Sequence, residues 1–236
     1  MADQTSVVIV TGAAGNLGRA TASLLAERGF SIVAVDRVVG ASQAWLDGLA
    51  LPARHLAISG IDLGDPAACD GVVARTLDRY GRVDGLVHTV GGFDAAPIAA
   101  AGSDLWERLF RLNTLTTVNM FRPAIAAMRP ARRGSLVAIG AGAALKAPAG
   151  LAAYAASKSA VLRLVESFAA ELKAEGIRVN AVLPSTIDTP QNRAAMPDAD
   201  PSAWVTPRQL AEVIAFLISD AASGVTGASY PVTGRG

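Results

Sequence analysis

Short runs of β-branched, apolar residues recur along this chain, and segments with helical periodicity separate them. Strands are predicted at 6–10, 31–35, 86–90, 136–139, 177–183 and 228–232. Between them, 15–28 reads as a helix stopped by Gly29. Asp65-Pro66 reads as a cap followed by proline at the first helical position, with Gly81 ending that helix. Ser103 is placed to cap a long helix running to Met128, and a second long helix runs from Leu151 to Glu175 ahead of Gly176. Thr206-Pro-Arg-Gln209 has the spacing of a capping box, opening a helix over 209–219. Strands apolar on both faces, alternating with helices, predict an α/β chain with a parallel sheet and helices on both faces. The 236 residues suit one such domain, 1–236, without a repeat, linker or low-complexity tract. The stretch 184–205, rich in Pro, Asp and Asn, is long for a connection and reads as a substrate lid.

Charge and cysteine content narrow the function. With 21 basic and 20 acidic residues the net charge is +1, and no like-charged block stands out, so no nucleic-acid partner is expected. Cys69 is the lone cysteine, sits in a helical pattern and reads as a small buried side chain. It has no metal-ligand spacing with His55 or His88, so no metal is expected. The opening MADQTSVVIVTG lacks a basic region before its apolar run and is not read as a signal peptide. The apolar stretch 136–156 is interrupted by Lys146, Pro148 and glycines, unlike a membrane helix. A soluble, cytoplasmic protein without a membrane partner is expected.

The first strand leads into Thr11-Gly-Ala-Ala-Gly-Asn-Leu-Gly18. Gly12 permits a tight turn, Gly15 lets backbone approach a pyrophosphate, and Gly18 lets the following helix pack on the sheet. Thr11, Gly12, Gly15, Asn16, Leu17 and Gly18 therefore form a candidate phosphate cradle at the positive end of a helix. Asp36 ends the second strand, where a carboxylate can accept from a ribose 2′-hydroxyl and repel a 2′-phosphate. This favours NAD(H), with NADP(H) as the lesser alternative. Arg37 is either an exposed loop charge or a partial offset to that repulsion. Asp62-Leu63, after the third strand, is either an adenine contact or a solvated turn. His88, at the end of the fourth strand, reads as structural.

Tyr154 and Lys158 are four residues apart in a helical segment and so share a face. An ammonium near a phenol favours the phenolate, so the spacing predicts a lowered Tyr154 pKa and a group able to move a proton near neutral pH. With the glycine-rich turn, this reading prevails over a surface Tyr-Lys pair.

In order and spacing, Thr11-Gly12 with Gly15 and Gly18, Asp36, Gly91, Asn113, Tyr154-Ala-Ala-Ser-Lys158 and Val225-Thr-Gly-Ala resemble the short-chain dehydrogenase/reductase family along nearly the whole chain. The resemblance implies a Rossmann-type doubly wound sheet, a nicotinamide cofactor and hydride transfer with Tyr154 as acid/base. Lys158 would hold the nicotinamide ribose and tune Tyr154, and Asn113 would support the proton relay or pack within its helix. Thr189 and the backbone of Ile187 would face the carboxamide, and the assembly would be a tetramer or dimer. Three positions depart from the family pattern. Asn16 stands where a glycine is usual, His88-Thr-Val-Gly91 replaces Asn-Asn-Ala-Gly, and Ala141 occupies the place of the catalytic serine.

Ala141 and the segment Leu183-Pro-Ser-Thr-Ile-Asp-Thr-Pro-Gln-Asn-Arg193, followed by Met196 and Trp204, are similar to the dihydropteridine reductase-like branch. The expected activity is NAD(H)-dependent hydride transfer to a carbonyl, quinonoid or similarly conjugated small molecule. Either the substrate does not need the missing hydroxyl, or an ordered water replaces it. The alternative function is a nucleotide-binding regulator that has lost catalysis. Phe93, Ile98, Leu145, Met196 and Trp204 are either substrate-facing or core residues.

Overall fold

The structure is a computed structural model that describes residues 5–235. The first residues of the predicted domain and of the segment judged for a signal peptide, Met1 to Gln4, lie outside the described residues, as does Gly236. The elements follow the order β1 (Val7–Thr11), α1 (Asn16–Glu27), β2 (Ser31–Asp36), α2 (Gln43–Leu46), β3 (Leu56–Ser59), α3 (Pro66–Tyr80) and β4 (Gly85–His88). There follow α4 (Ser103–Phe110), α5 (Thr116–Met128), β5 (Gly134–Ile139), α6 (Ala152–Leu172), β6 (Ile177–Pro184), α7 (Pro190–Ala195), α8 (Pro207–Ile218) and β7 (Ser229–Val232). The strands form one seven-stranded sheet in the order β3-β2-β1-β4-β5-β6-β7. Every neighbouring pair is parallel. This is the doubly wound Rossmann-type sheet that the resemblance implied.

Alternation along β1 shows how the sequence makes two cores. Val7 and Ile9 pack among residues of α3, α5 and α6, whereas Val8 and Val10 pack among residues of α1 and α8. Successive strand side chains point to opposite faces, so a strand covered on both sides must be apolar at every position. The local signals hold too. Asp65 Oδ1 accepts from Ala67 N–H at 2.9 Å, and the capping box of Thr206 and Gln209 is formed in both directions.

The long helix expected over 103–128 is interrupted. Ser103 does not cap it: Gly102 is the N-cap, without a side-chain bond. Between α4 and α5, Arg111–Leu115 winds as a π-helical turn. Two threonine hydroxyls bond back to carbonyls of this turn: Thr116 Oγ1 donates to Leu112 O at 2.6 Å, and Thr117 Oγ1 to Asn113 O at 2.9 Å. The stretch 184–205 is also more ordered than its composition suggests, since it contains α7 and a parallel bridge between Ile187 and Val205.

Candidate active site

Strand order reverses between β1 and β4, so a crevice opens there at the carboxyl ends of the strands. The glycine-rich turn lies on its β1 side. Gly12 has φ +66°, and a Cβ on Gly18 would lie 2.1 Å from Gly12 O. A side chain at position 18 would therefore push α1 off the turn. No side chain caps α1, so its first N–H groups lack a side-chain acceptor, as an anion-binding helix end requires. Leu17 is buried in the core and Asn16 is exposed, so Leu17 offers only its backbone to this cradle. The uncapped, sterically cleared turn fits a pyrophosphate.

Asp36 holds this turn in place. Its Oδ2 accepts from Ala14 N–H at 2.9 Å and its Oδ1 from Val38 N–H at 3.0 Å. A carboxylate has further lone pairs, so it retains capacity for a hydroxyl donor. Arg37 is exposed on the loop that follows. Asp62 closes its own turn, with Oδ1 accepting from Gly64 N–H at 2.9 Å. The Leu63 side chain is buried in the core, and its carbonyl accepts from Asn119 Nδ2 at 2.9 Å.

On the β4–β5 side, Gly91, Asn113 and Lys158 come together. A Cβ on Gly91 would lie 2.9 Å from Asn113 Oδ1 and 3.0 Å from Lys158 Nζ. Asn113, on the π-helical turn, accepts from Gly92 N–H at 2.8 Å. It donates to Gly92 O at 3.1 Å and to Ser157 Oγ at 2.9 Å. Ser157 Oγ in turn donates to Tyr154 O at 2.7 Å. Sequence reading gave Ser157 no role; nothing in its spacing reveals a hydroxyl committed to Asn113. Phe93 packs edge-on against Tyr154, ring centroids 5.0 Å apart.

Lys158 is buried, and its Nζ donates to Ile139 O, at the end of β5, at 2.8 Å. Burial pulls this ammonium down to about 8. Burial also raises the Tyr154 phenol above its ordinary value. The expected lowering by Lys158 is thus corrected: desolvation disfavours the phenolate, and the lysine is turned onto a backbone carbonyl. At neutral pH Tyr154 is therefore an uncharged phenol.

His88 is structural, as expected. Thr11 Oγ1 lies 2.9 Å from its Nδ1 and Thr116 Oγ1 lies 3.2 Å from its Nε2, while burial, with Lys158 nearby, lowers its pKa to about 3. Ala141, just beyond β5, is buried in extended conformation. Ser135 does not take the serine's place: it lies at the start of β5 and donates to Leu217 O at 2.8 Å.

After β6 the chain crosses toward the glycine-rich turn. Thr189 caps α7, accepting from Asn192 N–H at 3.1 Å, and Ile187 O accepts from Asn192 Nδ2 at 2.8 Å. Asn16 Nδ2 donates to Gln191 Oε1 at 2.8 Å. Neither residue's pairing was legible in sequence. A cavity of about 590 Å³ opens at the opposite edge, where the strands begin, lined by Ser6, Asp84, Arg133 and Arg178. Arg178 there donates to Leu217 O of α8 and to Ser219 O just beyond it, and Arg133 pairs with Asp220, so this cavity is separate from the crevice. Among the described residues no group of three or more His, Cys, Asp or Glu could hold a metal, and no helix is long and apolar enough to cross a membrane.

The family model for short chain dehydrogenase matches residues 6–200. A 3-oxoacyl-(acyl-carrier-protein) reductase of Thermotoga maritima is 30% identical over 240 residues, covering 97% of this chain and 96% of the reductase. A cis-4-hydroxycyclohexanecarboxylate dehydrogenase of Sinomonas cyclohexanicum is 34% identical over 244 residues, covering 97% and 95%. The structure of an NAD⁺-bound xylitol dehydrogenase superimposes with TM-score 0.87 at 26% identity, covering 98% of this chain and 99% of that one. The chain belongs to the short-chain dehydrogenase/reductase family. It is an NAD(P)-dependent oxidoreductase.

Proposed function

We propose that this protein reduces a quinonoid or similarly conjugated small molecule, or an activated carbonyl, with NAD(H) in preference to NADP(H). A bound nicotinamide would supply the hydride. Thr11, Gly12, Gly15, Asn16, Leu17 and Gly18 would hold its pyrophosphate, Asp36 the adenosine ribose and Lys158 the other ribose. Arg37, Asp62 and Leu63 would flank the adenosine, with Gly91, Ile187 and Thr189 toward the nicotinamide. The single observation that carries this reading is the Tyr154 phenol, kept protonated by burial one turn from a buried lysine. A protonated phenol beside the reacting oxygen donates a proton, which is the reduction direction. Asn113, through Ser157, fixes the backbone that presents Tyr154.

The substrate class follows from Ala141. A serine hydroxyl there would stabilise charge growing on a carbonyl oxygen, and one preorganised donor contributes about 3 kcal/mol. A conjugated acceptor that gains aromatic character on reduction needs that donor least. The similarity of Ala141 and the 183–193 segment to the dihydropteridine reductase-like branch supports this reading. Phe93, packed edge-on against Tyr154, supplies an apolar wall suited to a flat ring. A homo-oligomer, a tetramer or dimer, is part of the same proposal, with the apolar faces of the segments 103–128 (α4 and α5) and 151–175 (α6) as its contact.

The test is NADH oxidation with quinonoid dihydropterins and quinones against simple ketones and aldehydes, in wild type and Ala141→Ser. Conjugated acceptors should turn over, simple ketones should not, and Ala141→Ser should raise ketone turnover. Good ketone reduction by wild type, little changed in Ala141→Ser, overturns the substrate class.

A further inference from the structure

Among the described residues, the segment 186–202 has one hydrogen bond to the protein outside 184–205, from Asn16 Nδ2 to Gln191 Oε1. Its other polar contacts are internal. Asp188 accepts from Arg193 Nε at 2.6 Å and from its Nη2 at 2.8 Å, Asn192 Nδ2 donates to Ile187 O, and Asp188 N–H donates to Val205 O at 2.8 Å. These bonds stiffen the segment as a unit. They do not attach α7 to anything across the crevice.

The two ends of the Asn16–Gln191 bond are the informative part. Asn16 is the first residue of α1, at the uncapped helix end that faces the crevice. It is also where this chain departs from the usual glycine. Gln191 lies in the first turn of α7, two positions past Thr189. Both side chains are exposed and neutral, so the bond forms and breaks against water at small cost. A glycine at position 16 could not make it.

We infer that Asn16 and Gln191 form a clasp that holds the lid over the bound nicotinamide cofactor and slows its release. This rests on the proposed function, since it takes the crevice beneath the clasp as the cofactor site. Asn16 is then a positioning residue with two roles: its backbone N–H belongs to the phosphate cradle, and its side chain fastens the lid. The departure from glycine at position 16 and the glutamine at 191 are one device. Removing the Gln191 side chain leaves the cradle's N–H groups, Asp36 and Tyr154 as they are. Release should accelerate while the proton and hydride chemistry stays the same.

The test is stopped-flow release of NADH, with NADPH in parallel, from wild type, Asn16→Gly, Gln191→Ala and the double variant. Hydrogen exchange of the α7 amides in the unliganded proteins provides a second readout. Each single variant should release the cofactor about three- to tenfold faster, in the range of one neutral hydrogen bond. The double variant should match the singles rather than multiply them. The α7 amides should exchange faster in all three, and in Gln191→Ala, which lies outside the cradle, a primary deuterium isotope effect on single-turnover hydride transfer should not change. Normal cofactor binding by wild type with unchanged release in Gln191→Ala overturns the clasp alone, as do multiplicative effects in the double variant. Failure of wild type to bind either cofactor overturns the proposed function and the clasp together.

Discussion

Around Tyr154, Asn113 and Lys158 are only 1% and 5% exposed, and their polar atoms are bound to protein: Gly92, Ser157 and Ile139 O. Around the glycine-rich turn, Asn16, Arg37 and Gln191 are exposed, and a single side-chain bond reaches across to α7. Buried polar groups must find partners within the fold, because an unpaired one costs the full desolvation penalty. Exposed ones can exchange a protein partner for water. The half proposed to handle the proton is therefore fixed before any ligand arrives, and the half proposed to bind the cofactor can open without unfolding anything. An oxidoreductase of this family needs both properties, one for chemistry and one for cofactor exchange.

The largest expected effect is on the fixed half. Tyr154→Phe removes the donor and keeps the ring that packs against Phe93, so turnover should fall by about 10²–10⁴-fold. The NADH dissociation constant should change by no more than about twofold, because the phenol is not part of the phosphate cradle. Steady-state kinetics with equilibrium fluorescence titration separates the two. Near-normal turnover would remove Tyr154 from the chemistry and dissolve the contrast between the halves.

A stability measurement sharpens the same contrast. Lys158 has a folded-state pKa of about 8 against an ordinary 10.5. Below pH 8 both folded and unfolded chains carry the proton, and the full cost of burying the cation is present. Between 8 and 10.5 the folded protein releases the proton and the unfolded chain keeps it, so wild-type stability gains with rising pH from this group. Lys158→Met should therefore stabilise the protein at pH 7, on the order of 1–3 kcal/mol. Its advantage should shrink as pH rises from 8 to 10.5, followed by urea unfolding at several pH values. A destabilised Lys158→Met at pH 7 would mean that the bond to Ile139 O outweighs the desolvation.

The smallest effect is expected at Asp36. Replacement by Ala removes the repulsion toward a 2′-phosphate, the bond to Ala14 N–H that holds the glycine-rich turn and the bond to Val38 N–H on the following loop. The preference for NADH over NADPH should fall by about tenfold, equal to roughly 1.4 kcal/mol. Tighter NADPH binding by wild type would show that Arg37, not Asp36, sets cofactor choice.

The sequence by itself determined the sheet, the two helix layers, the glycine-rich turn and the placing of Tyr154 and Lys158 one helical turn apart. Each of these rests on a local rule: alternation of side chains across a strand, the steric demand of Gly12 and Gly18, and the i,i+4 geometry of a helix. Membership of the family was legible on the same residues. The tertiary structure decided the rest. Helical periodicity across 103–128 does not reveal the π-helical turn, because an extra residue in one turn leaves apolar positions on both sides of it intact. That turn is what aims Asn113 at Gly92 and Ser157. The direction of the Tyr154 shift was misread from spacing, because two side chains on one helix face still compete with whatever else packs there. Here Lys158 found a β5 carbonyl, and burial governs both groups. The Asn16–Gln191 bond joins residues far apart in the chain, and only the fold brings α7 to the start of α1. Local pattern reports which face is buried; desolvation and long-range pairing depend on what the completed fold places against that face.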